Sequence, residues 1–75
     1  MQGKALDRRF LHALVRTLDA VVERPNYFPD VHEGMRRAML NKFPYGVFFR
    51  IQADVIRVLG IIHLHRDPKY WQRRA

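Results

Sequence analysis

Apolar residues recur at helical spacing in the first third of the chain and alternate in its second half, so a change of period divides the molecule. From Leu6 to Val22 the apolar positions Leu6, Phe10, Leu14, Leu18 and Val21/Val22 fall three or four residues apart. Arg8, Arg9, His12, Arg16, Asp19 and Glu23 fill the opposite face. The spacing predicts an amphipathic helix that Pro25 ends, because proline disfavours a helical predecessor and has no N–H to donate. Residues 24–34 hold two prolines and close on Gly34, which predicts a loop, with Tyr27 and Phe28 expected to pin it to the core.

Beyond the loop the period shortens. Arg36 to Leu40 predicts a short strand, Asn41 to Pro44 a turn, and Tyr45 to Gln52 a second strand. Ala53-Asp54 is a tight turn, and Val55 to His65, rich in β-branched residues, is a third strand that Asp67-Pro68 ends. The expected fold is α+β: an N-terminal helix packed on one face of a three-stranded antiparallel meander. A two-residue hairpin loop at Ala53-Asp54 sets Ile51 opposite Ile56, Phe49 opposite Val58, Val47 opposite Gly60 and Tyr45 opposite Ile62. That apolar face is the one to receive the helix. The other face carries Arg50 directly opposite Arg57, with Phe48, Leu59, Ile61 and His63. Like charges so placed destabilise a strand pair by up to about 1 kcal/mol. Either acidic groups of a partner or a phosphate cover the pair, or Asp54 and solvent screen it, or the loop has three residues and the pair does not form.

Length and charge narrow the function classes. The 75 residues make one domain, 1–75, with a thin core, since a chain this short buries only roughly 60% of its unfolded surface. Cysteine is absent, which excludes disulfides and thiolate metal sites and fits a reducing, cytoplasmic setting. No apolar run reaches membrane-spanning length, so no membrane partner is expected. Fourteen Lys and Arg against seven Asp and Glu give a net charge of +7, and most of those cations are Arg. Guanidinium forks match carboxylate and phosphate, so the expected partners are nucleic acid or an acidic protein.

The densest chemistry lies in the segment from His63 to Arg74. His63, His65 and Asp67 share one face if the segment is extended, but one short segment makes a poor metal site, and neither metal nor cofactor is expected. Metal-free RNA cleavage is the stronger chemical reading. His63 or His65 would act as acid/base, Arg50, Arg57 and Arg66 would hold phosphate, and Tyr70 and Trp71 would stack a base. Trp71 and Tyr70 also suit closing the open end of a thin core, and for Trp71 that is the preferred reading. Serine is absent, and there is no glycine-rich phosphate loop or tuned carboxylate pair.

Three stretches together resemble the RelE/ParE family, toxins of bacterial type II toxin–antitoxin systems. They are Arg36-Arg37-Ala38-Met39-Leu40, Lys42-Phe43-Pro44-Tyr45-Gly46-Val47-Phe48-Phe49-Arg50-Ile51, and Val58 to Pro68 with its His-x-His-Arg-Asp-Pro ending and Trp71. The resemblance covers roughly residues 6 to 74 and implies a toxin neutralised by an acidic-leaning antitoxin that wraps its surface. Its RelE branch cuts messenger RNA on the ribosome, with Arg37, His63, His65, Arg66 and Tyr70 as the matching catalytic candidates. Its ParE branch binds DNA gyrase. Gly46 and Met39 stand where the RelE pattern has basic residues, which makes ParE-like gyrase inhibition the leading expectation. Arg37, Arg50, Arg57, Arg66, Lys69, Trp71, Arg73 and Arg74 are the expected partner-binding residues. The family ordinarily opens with a β-strand that this sequence lacks, so an unpaired sheet edge is expected, to be filled by a second copy or an antitoxin strand. A third reading is a non-toxic remnant that only binds an antitoxin.

Overall fold

The computed structural model describes residues 7–73, which leaves Leu6 of the expected helix and Arg74 of the expected binding set outside the described residues. Helix α1 spans Arg8–Glu23. Asp7 caps it: the carboxylate accepts the Arg9 N–H at 2.8 Å, satisfying a backbone donor that the first turn leaves orphaned. The Arg9 guanidinium donates to the same carboxylate at 3.1 Å. That side-chain bond, followed by the backbone one, holds the Asp7 carboxyl below its ordinary value. At the other end the chain turns through Arg24 into a single 3₁₀ turn, Pro25–Tyr27.

The sheet has four strands: β1 Asp30–His32, β2 Met35–Met39, β3 Tyr45–Gln52 and β4 Val55–His63. They pair antiparallel in the order β1-β2-β3-β4. The class is α+β, as expected, with one strand more than expected. β1 lies inside the stretch read as loop, and with three residues and an irregular register it carries no alternation to detect. The turn to β2 uses Glu33 and Gly34, both at positive φ (45° and 88°). β4 ends at His63, two residues early. A second helix, α2 (Pro68–Gln72), follows, with Asp67 as N-cap accepting the Lys69 N–H at 2.9 Å.

The β3–β4 hairpin keeps the expected register at first: Ile51 faces Ile56, Arg50 faces Arg57, and Phe49 faces Val58. A bulge then takes up Leu59, so Phe48 faces Gly60. Val47 therefore faces Ile61 rather than Gly60, and Tyr45 faces His63 rather than Ile62. One extra residue exchanges the faces of everything beyond it. Ile62 moves to the side away from α1, and His63 moves to the side of Tyr45.

Both faces of the sheet are consequently covered. On one, α1 lays Phe10, Ala13, Leu14, Leu18 and Val21 over Ala38, Leu40, Val47 and Phe49. Thr17 is buried with them and keeps its hydroxyl satisfied by donating to the Ala13 carbonyl at 2.8 Å. Val22, expected in this stripe, is 69% exposed, because one further step around the helix carries it off the sheet. Phe28 pins the loop, its ring edge-on to Phe49 at 6.0 Å, while Tyr27 is exposed and does not. On the opposite face Met35, Phe48 and Ile62 form a second cluster, closed by Val31, Leu59 and Trp71. The Trp71 ring sits 5.0 Å from the Phe48 ring, so the structural role foreseen for this tryptophan is the one it occupies. The far face is thus a second core rimmed by arginines rather than an arginine surface throughout.

Candidate partner-binding surface

Strand alternation places Arg37, Arg50 and Arg57 on the face away from α1, around the second core. Arg37 stands opposite Phe48, and its stem lies across Gly46. A Cβ at Gly46 would come within 3.0 Å of the Arg37 Cγ and 3.3 Å of Leu64. The small residue that departs from the RelE pattern therefore makes room for a neighbouring arginine. The Arg37 Nε is buried and has no hydrogen-bond partner among the described residues. An unpaired buried donor is costly.

Arg50 and Arg57 form the expected like-charged pair, directly opposite each other. Their relief is internal. Arg50 Nη1 donates to the Glu33 carbonyl at 2.6 Å, and Arg57 Nη1 donates to Gln52 Oε1 at 3.3 Å, which draws the two guanidinium groups toward different acceptors. Both acceptors are neutral, so the positive charge of the pair is dispersed but not cancelled.

The segment after β4 brings two candidates together. The Arg66 guanidinium lies over the Tyr70 ring, 4.2 Å from its centroid. Lys69 on α2 and Arg73 at its C-cap are exposed. His63 and His65 also meet, their rings edge-on at 5.0 Å. The His65 N–H donates to His63 Nδ1 at 3.1 Å, which leaves Nε2 to carry the proton of a neutral His63 ring. His63 packs on Tyr45 at 5.0 Å, and Tyr45 packs on Phe10 of α1. The two histidines therefore belong to the α1 side of the sheet, and Arg37 belongs to the other side. Asp67 is turned to its capping role, so it does not converge with His63 and His65, and no group of three metal-ligating side chains occurs among the described residues.

A second cationic feature escaped the sequence reading. A cleft of about 590 Å³ lies between α1 and the β2–β3 turn, floored by Phe28 and Phe43 and rimmed by Arg9, His12, Arg16 and Lys42. Among the described residues no carboxylate lines it. Its volume suits a small ligand or an inserted side chain. The helical spacing of Arg9, His12 and Arg16 was visible, but nothing local tells that Lys42 folds beside them. No described helix is long and apolar enough to cross a membrane.

Comparison with protein-family models, curated proteins and solved structures gives no significant match to this chain.

Proposed function

We propose that this domain is a RelE/ParE-like toxin that acts by binding, with DNA gyrase as its target, and that an acidic antitoxin holds it inactive in the cytoplasm. One observation carries the reading: the sheet lies between Arg37, Arg50 and Arg57 on one side and His63 and His65 on the other, which leaves Arg66, whose N–H donates to the His63 carbonyl, as the one expected phosphate holder beside the histidines. Ribonuclease chemistry needs an acid/base and phosphate-holding cations at one reacting centre. Binding needs only a cationic surface with apolar anchors. The cleft at Arg16 and Lys42, which no carboxylate lines among the described residues, favours an acidic partner segment. The sheet edge at β4 is the proposed place for a partner strand, from an antitoxin or a second copy.

The test follows DNA topology and RNA together. Purified chain added to gyrase should block supercoiling, and the same preparation in a translation extract should leave messenger RNA intact. Messenger cleavage that disappears in Arg66→Ala would replace this reading with the endoribonuclease one. A chain that does neither yet binds an acidic antitoxin is the non-toxic remnant.

A further inference from the structure

Helix α1 carries a second apolar stripe that the sheet leaves uncovered. Leu11, Val15 and Val22 are 46%, 47% and 69% exposed, and half-buried Leu18 completes the row. The steps of four, three and four residues are those of a two-stranded coiled-coil seam. Arg9 and Arg16 reach round to the cleft at Met39, Asn41 and Lys42, and His12 stands between that cleft and the stripe. A shallow depression runs along the first half of the stripe, lined by Arg8, Arg9, Leu11, His12 and Val15.

The charges beside the stripe name its occupant. At about 100° per residue, Arg8, His12, Asp19 and Glu23 fall on one side of it, and all four are exposed. The basic pair lies in the first half of the helix and the acidic pair in the second. A uniformly acidic helix would match the first half and be repelled by the second. A reversed copy of the same helix matches both.

We propose that α1 is a self-complementary interface through which two copies of this chain pair antiparallel. Leu11 packs against Val22 of the second copy, and Val15 packs against Leu18 of the second copy. Because the two-fold axis sets each flank against itself, Arg8 meets Glu23 of the second copy and His12 meets its Asp19. The proposal is independent of the toxin reading and of any strand pairing at β4.

Sedimentation of the purified chain over a concentration series tests it. The expected result is a reversible monomer–dimer equilibrium. Val15→Asp, at an already exposed position, should give monomer with an unchanged circular dichroism spectrum. Arg8→Glu and Glu23→Arg should each weaken dimerisation about 2- to 30-fold, the range for exposed ion pairs counted twice by symmetry. The double variant should recover it. A wild-type chain that stays monomeric, a dimer that survives Val15→Asp, or a double variant no better than the singles would overturn the proposal. The middle outcome would assign the dimer to the β4 edge instead.

Discussion

Arg50 and Arg57 face each other across the β3–β4 hairpin, and each guanidinium turns to a different neutral acceptor: the Glu33 carbonyl for one, the Gln52 side chain for the other. The arrangement reduces repulsion without importing a carboxylate. It leaves two positive charges at the rim of the second core, available to a partner.

Reversing one of those charges should separate stability from binding. Arg57→Glu places opposite charges across the strand pair and is expected to stabilise the domain by about 0.2–1 kcal/mol. The same change should weaken binding to a polyanionic resin or an acidic peptide. Urea unfolding and a salt-elution profile measure the two effects, and a variant that loses stability would contradict the register.

Trp71 closes the second core from a helix of only five residues. Trp71→Ala is expected to cost about 2–3 kcal/mol, less than the 3–5 of a fully enclosed aromatic because the ring is only half-buried. Trp71→Phe should retain most of the contact with Phe48. Chemical denaturation followed by circular dichroism distinguishes the two.

Two strand glycines should behave oppositely. Gly46→Ala forces its new methyl against the Arg37 stem and Leu64, and an expected cost of about 1 kcal/mol or more follows from overpacking. At Gly60 the nearest atoms, of the Ile62 side chain, are 3.4 and 3.5 Å away, an ordinary van der Waals contact. Gly60→Ala is expected to be neutral, or stabilising by about 0.4–1 kcal/mol through the unfolded chain. Equal effects at the two positions in thermal melts would count against the placement of Arg37.

The helix cap gives a pH signature. Because the folded Asp7 carboxyl lies below its ordinary value of 3.8, its contribution is complete above that value and is lost as the pH falls through the folded one. Asp7→Asn keeps an acceptor for the Arg9 N–H but removes the charge. The wild-type advantage over this variant, measured as the difference in melting temperature, should be present near neutrality and vanish in acid. A difference that stays constant with pH would show that the charge plays no part.

Much of this fold is legible in the sequence, and its misreadings have local causes. The period of Phe10, Leu14, Leu18 and Val21 announces α1, and Ala53-Asp54 anchors the hairpin correctly as far as Phe49 and Val58. Past that point strict alternation fails, because the bulge at Leu59 leaves no mark in a run of apolar residues. β1 is too short to show a period. α2 did leave a signal, Asp67 as cap before Pro68 in the first turn, but the same dipeptide also reads as a strand terminator. The candidate site was legible as composition and less so as geometry. Arginines were expected on the far face and stand there, yet the crossing of His63 to the other side depends on that same bulge.

The placement of Trp71 bears on how the molecule is made. Synthesis delivers α1 and the four strands first, and the indole that keeps water off Met35 and Phe48 lies downstream of every residue it shields. A nascent chain halted before α2 would therefore hold a sheet dry on one side and wet on the other. That interval is when such a chain is most open to capture by a chaperone or by its own kind.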